Sequence, residues 1–128
     1  MHIGEIKTAI KNQYILGAYN ETNIVYFKNI IHPEFAIIDI QNDGTFYLFT
    51  RDMWEKILKE RLDDVNFDYS TVAFTPHFRS IDVQGPNASV SLDLLLRGQI
   101  YYSEFLLLKQ IDLQWIIVSK IFHQHVQQ

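Results

Sequence analysis

The sequence predicts an α+β domain: three helices in the first half pack on one face of a curved antiparallel sheet. Three observations carry this. Residues 88–123 read as two apolar hairpin strands and a closing strand, Trp115-Ile116-Ile117-Val118-Ser119-Lys120-Ile121-Phe122-His123, with side chains that alternate in polarity over 88–94. The first half carries apolar residues at helical spacing, interrupted by one short hairpin. No repeat, linker or low-complexity segment divides the 128 residues, a length that suits one domain.

Helix one is predicted from Ile3, Ile6, Ile10, Tyr14 and Gly17, which recur at three- and four-residue intervals with Glu5, Thr8, Lys11 and Asn12 between them. It should stop near Tyr19-Asn20, where Asn-Glu-Thr-Asn offers capping side chains to a second helix over 23–31. That helix turns Ile24, Phe27, Ile30 and Ile31 inward, and Pro33 is expected to end it, because the residue before a proline is pushed out of helical geometry. A β-branched strand at 35–40, the turn Asn42-Asp43-Gly44 and a return strand at 45–49 make a hairpin.

Thr50 then caps a third helix, with Asp52 favourable to the helix dipole in its first turn. Met53, Trp54, Ile57, Leu58 and Leu62 form its expected apolar stripe, and Glu55 and Lys59 an i,i+4 pair on its wet side. Residues 62–70, with Asp63, Asp64 and Asp68 and no period, read as an acidic loop. Long strands follow at 75–84, from Ala88, at 101–109 and at 113–123. Turns at Gly85-Pro86-Asn87, at Gly98 and at Gln110-Ile111-Asp112 join them. Helices can cover only one face of such a sheet, so it should curve into a cone with an open mouth. Apolar side chains left on the other face predict a homodimer through that outer face.

Composition narrows the function. The net charge is −4, with Lys and Arg scattered rather than striped, so no nucleic-acid partner is expected. No apolar run reaches the ~18 residues of a membrane span, and no membrane partner is expected. The N-terminus lacks the pattern of a secretory signal and cysteine is absent, which points to a cytoplasmic location. Nine Phe, seven Tyr and two Trp favour an apolar, aromatic-lined pocket for a small apolar or aromatic ligand.

Tyr14 late in helix one, Ile31-His32-Pro33-Glu34-Phe35, Tyr102-Ser103-Glu104-Phe105 and the strand 115–123 stand in an order that resembles the NTF2-like superfamily. Nuclear transport factor 2, ketosteroid isomerase, scytalone dehydratase and the SnoaL-like cyclases share its cone-shaped fold. Within it the chain looks most like the small bacterial proteins described as putative lumazine-binding. The resemblance covers nearly the whole chain and implies one NTF2-like domain over 1–128. It also implies candidate catalytic residues. Ketosteroid isomerase uses a first-strand aspartate base, with a helix-one tyrosine and a protonated aspartic acid as oxyanion donors. Laid on this chain, the base falls at Asp39, the tyrosine at Tyr14 and the second acid at Glu104. That enzyme has proline after its base, whereas Ile40 follows Asp39 here.

The residues themselves leave alternatives open. Asp39 shares a strand face with Ile37, so it must be paired, exposed at an edge or shifted in pKa. Tyr14 is either a core tyrosine or a pocket donor. Glu104 on a central strand needs a partner, and Lys120 on the next strand is the obvious one. Register decides whether they meet, and a one-residue slip would set Glu104 opposite Ile121. His77 and Arg79 share a face with Ile81 and Val83 and should point toward the cone mouth. Phe27, Phe35, Trp54 and Tyr102 are expected to wall the pocket, and Trp115 to pack in the core. His32 beside Pro33 reads as structural. His123 and His125 have strand-ligand spacing without a third ligand, so no metal is expected. No Gly-rich phosphate loop, Ser-His-Asp order or zincin helix occurs, and no cofactor is expected. Three readings follow: a small-molecule-binding domain, a cofactor-independent isomerase, dehydratase or cyclase using general acid–base catalysis, and a dimeric interaction protein with a vestigial pocket.

Overall fold

The structure, a computed structural model, describes residues 2–127. Helix α1, His2–Ala9, runs on without a break into a π-helical stretch, Ile10–Asn20. Ile6, Ile10 and Tyr14 are buried as their spacing requires, while Ile3 stays exposed. The wider π turn aligns residues five apart, so Tyr14 and Tyr19 lie on one side with their hydroxyls 3.3 Å apart. Gly17 allows the next helix to approach. A Cβ there would stand 2.6 Å from the Phe27 backbone nitrogen.

Helix α2, Ile24–Ile30, is capped by Asn23, whose side chain accepts from the Tyr26 N–H at 3.1 Å. It ends before the proline has any say. Strand β1, Ile31–Ile40, begins at once because Ile31 already pairs with Ile117, and Pro33 sits inside the strand. Strand β2, Phe46–Thr50, returns antiparallel across the expected hairpin. Thr50 caps helix α3, Arg51–Asp63, by accepting from the Met53 N–H. Only Trp54 and Leu58 of the expected stripe are buried. Met53, Ile57 and Leu62 remain exposed. The acidic loop holds a short 3-10 turn, Tyr69–Val72, capped by Asp68.

Strands β3 (Thr75–Gln84), β4 (Asn87–Leu96), β5 (Gln99–Ile111) and β6 (Gln114–Gln124) follow as antiparallel neighbours. The sheet has six strands in the order β2-β1-β6-β5-β4-β3. It is mixed rather than purely antiparallel, since β1 and β6 run parallel. The last hairpin turns at Asp112-Leu113, one residue later than the sequence implies; both adopt positive φ (50° and 67°), as a two-residue hairpin turn demands.

The register between β1 and β6 is irregular over 31–36, and three bulges in the antiparallel pairs curve the sheet. The register slips by one residue at Arg79 between β3 and β4, at Tyr101 between β4 and β5, and at Val118 between β5 and β6. Each bulge bends its strand and reverses the in–out order of side chains beyond it. The concave face buries Val90, Leu92, Leu94, Leu106, Leu108 and Ile117 against Ile6, Ile10, Phe27 and Leu58. Trp115 is buried at the start of β6, as expected.

Candidate functional site

The site begins with the bulge at Val118. Trp115 and Ile117 point inward, and unbroken alternation would send Ser119 inward and Lys120 out. The extra residue sends Lys120 inward instead. On β5, Glu104 shares the inner face with Leu106 and Leu108. Phe105 lies opposite Ile121, so Glu104 faces Phe122 and Lys120 faces Leu106. The two charges therefore meet diagonally, with Nζ 2.8 Å from Oε2. Such diagonal neighbours on one face are within reach of a long side chain.

The π-helical stretch completes the cluster from above. Tyr14 donates to Glu104 Oε1 at 2.7 Å and Tyr19 to Oε2 at 3.0 Å. Lys120 donates to the Tyr14 hydroxyl at 2.9 Å, to the Tyr19 hydroxyl at 3.1 Å and to Glu104. Every polar hydrogen of the two phenols and the ammonium is thereby spent inside the cluster. Glu104 and Lys120 are 0% and 3% exposed.

Burial dominates the electrostatics. It raises both phenols well above their usual 10.0, with the negative charge of Glu104 as the next cause, so both stay protonated donors. Burial pushes Lys120 down, and Glu104 opposes that shift through charge and hydrogen bond. The Lys120 ammonium also stands 4.6 Å from the Trp54 ring and 5.1 Å from that of Phe122, close enough for cation–π attraction.

Above this floor opens a pocket of about 180 Å³. Its walls are Ile37, Phe49, Trp54, Ile57, Tyr102 and Phe122. Arg61 reaches it from α3. Its Nη1 donates to the Ala18 carbonyl at 3.0 Å and to Thr22 Oγ1 at 3.1 Å, and its guanidinium lies 5.0 Å from the Phe67 ring. Burial lowers its pKa, opposed by the Tyr69, Tyr19 and Tyr102 phenols. Among the described residues it has no carboxylate within ion-pair distance. Tyr102 is half-buried, and burial raises its phenol.

The family described as Putative lumazine-binding matches residues 2–123. The chain belongs to that family. Its fold is NTF2-like, as the solved structures show. An NTF2-like protein of unknown function from Shewanella baltica OS155 is 18% identical, covers 99% of this chain and 98% of its own, and has a TM-score of 0.73. One from Silicibacter pomeroyi DSS-3, also of unknown function, is 18% identical over 97% and 96%, with a TM-score of 0.70. A de novo designed protein with a curved β-sheet is 14% identical over 93% and 99%, with a TM-score of 0.58. At such identities the likeness concerns the fold alone. No curated protein matches the chain.

For this member of the putative lumazine-binding family, the structure brings Tyr14, Glu104, Lys120, Trp54 and Tyr102 of the expected set together. Phe27 and Phe35 lie behind Trp54, at ring distances of 5.3 and 5.8 Å, and do not line the pocket. Asp39 is not at the site. It is exposed near the end of β1, where Gln41 Nε2 donates to it at 2.8 Å. The strand has there run past the helices, and Ile38 and Ile40 are exposed with it.

His77 and Arg79 face away from the pocket, because the bulge at Arg79 uncouples them from Ile81 and Val83. Arg79 instead pairs with Asp93 at 3.3 Å on the outer face. His32 is structural, its Nδ1 accepting from the Glu34 N–H at 2.9 Å. His123 and His125 pack edge to face at 4.7 Å. Among the described residues no group of three His, Cys, Asp or Glu could hold a metal ion. No helix among them is long and apolar enough to cross a membrane. Tyr19, Arg61 and Phe122 were not singled out from the sequence. For Tyr19 the spacing of five from Tyr14 is the signal, legible only if the helix is known to widen.

Proposed function

We propose that the protein binds a small molecule inside the cone, in the pocket over the Glu104–Lys120 pair. The observation that carries this reading is an aromatic-walled opening set on a buried charge cluster with all its hydrogens committed. A cluster so closed gives a ligand a rigid, electrically balanced floor at little reorganisation cost. The same closure disfavours acid–base chemistry, since neither Tyr14 nor Lys120 has a proton aimed at the pocket. The isomerase-like alternative also lacks its base, because Asp39 stands in solvent.

Size limits the ligand. An engineered cavity of roughly 150 Å³ holds benzene, and drug-sized pockets start near ~300 Å³. At about 180 Å³ this pocket suits one ring with a substituent. The fused rings of a lumazine, the molecule in the family's description, would enter with one ring inside and the other in the mouth. Ile57→Trp, which fills the mouth from an exposed position on α3, should abolish binding of small aromatic probes without loss of fold. Full binding by that variant would refute the pocket as the site.

A second copy of the chain is the proposed cover for the outer face. Phe105, Leu107 and Ile121 are 46%, 53% and 49% exposed there, side by side on β5 and β6. Sedimentation at micromolar concentration should give twice 15.1 kDa; a monomer contradicts it.

A further inference from the structure

The pocket's charges do not balance. One carboxylate and two cations line it. Glu104 and Lys120 neutralise each other at 2.8 Å, and Tyr14 and Tyr19 take up their remaining hydrogen bonds. That leaves Arg61 as an uncompensated positive charge, half-buried, in a chain whose acidic residues outnumber its basic ones by 15 to 11. A partly desolvated cation with no anion beside it is costly, and the cost falls when an anion arrives.

The geometry of Arg61 fits it for that role. Both hydrogens of Nη1 are tied to Ala18 and Thr22, which fixes the plane of the fork. Among the described residues the Nε and Nη2 edge makes no hydrogen bond, while the guanidinium lies 5.0 Å from the Phe67 ring. This is the edge a carboxylate takes with two parallel hydrogen bonds. Tyr102 lines the same pocket, and its hydroxyl makes no hydrogen bond among the described residues. It offers a third donor.

We propose that the ligand is an aromatic monocarboxylate, its ring between Trp54 and Phe122 and its carboxylate on Arg61, with the Tyr102 hydroxyl as a further donor. This rests on the pocket reading above. One ring and one carboxylate match the volume, and a monoanion matches the single unbalanced charge. A phosphate monoester, with nearly two charges, would be under-neutralised.

Benzoate and its neutral isostere benzamide separate the two claims, with binding followed by intrinsic tryptophan fluorescence and by calorimetry. Benzoate should bind at least about tenfold tighter than benzamide, as a charge-assisted pair over a neutral one implies, and added salt should narrow the gap. Arg61→Gln should bring the ratio near one. Because Arg61 also ties α3 to Ala18 and Thr22, the fold of that variant is checked by thermal melting. Tyr102→Phe, which removes only an unbonded hydroxyl, keeps the test open by weakening benzoate several-fold and benzamide little. Equal binding of the two probes, or a ratio unmoved by both variants, overturns the carboxylate proposal and leaves the pocket standing. Failure of both probes to bind at millimolar concentration overturns the pocket as well.

Discussion

The two faces of the sheet each carry a carboxylate beside a cation, and they differ in the company those charges keep. On the inner face, Glu104 and Lys120 are almost wholly buried, and Tyr14 and Tyr19 supply their remaining hydrogen bonds. On the outer face, Asp93 meets Arg79 at 3.3 Å, with side chains 9% and 36% exposed. Asp93 also accepts from Ser103 Oγ at 2.6 Å, and that hydroxyl meets His125 Nε2 at 2.8 Å. Arg79 spreads over the Phe105 ring at 5.1 Å. In the outer group only Asp93 is buried and Arg79 stays 36% exposed, whereas in the inner group both charges are buried. Burial, more than pairing, sets what each charge costs.

The strongest way to break this contrast is Glu104→Gln. It leaves a buried ammonium without its counter-charge and should cost about 3–5 kcal/mol, read as a shift in the denaturant midpoint. Adding Lys120→Met should recover part of that loss, since no buried charge then remains uncompensated. If the single variant loses under about 1 kcal/mol, water reaches Glu104 and the inner face is no drier than the outer.

Gly17→Ala tests the support beneath the cluster. Its new methyl meets the Phe27 backbone, with 2.9 Å to Cα, and neither helix can yield without moving Tyr14 and Tyr19. A loss of about 1–3 kcal/mol is expected, with the tyrosine hydrogen bonds disturbed as well. An unchanged melting temperature contradicts the close approach.

Alkaline pH sharpens the contrast further. Tyr14 and Tyr19 have folded pKa values raised above 10.0, so their contribution is intact below 10.0 and is lost as pH climbs through the raised values. Lys120 runs the other way: its pKa is lowered from 10.5, so the cost of burying its charge is relieved as pH rises toward 10.5. Subtracting the pH–stability curve of Tyr14→Phe from that of the unaltered protein isolates the phenol, and the difference should shrink above pH 10. Arg79→Ala leaves Asp93 its Ser103 donor and removes a partner that is 36% exposed, so it should cost about 1–2 kcal/mol, less than Glu104→Gln. A loss as large as that of Glu104→Gln would erase the distinction between the faces.

Much of this was legible in the sequence, and the failures share a cause. Ala88, Val90, Leu92 and Leu94 alternate cleanly and are buried. Asn23 and Thr50 cap helices by their own side chains. The pairing of Glu104 with Lys120 depended on register, and register passes through the Val118 bulge, which no residue type announces. The bulge at Arg79 likewise reversed His77 and Arg79 onto the outer face. Tyr19 was hidden by a helix whose turn widens from within. Asp39 was correctly set on the face of Ile37, but strand alternation does not say where the covering helices stop. Periodicity reports the face a residue occupies, while bulges and element ends decide what it meets there.

The central claim, that the small molecule is taken by the inner face and not by the outer, is tested most directly by methyl NMR. Benzamide, which carries no charge, would be titrated while isoleucine and leucine methyl resonances are followed. Ile37 and Ile57 line the pocket, and Leu107 and Ile121 lie on the outer face. Saturable shifts at Ile37 and Ile57, with Leu107 and Ile121 unmoved, are the expected result. Shifts confined to Leu107 and Ile121, or none at either face, would contradict it.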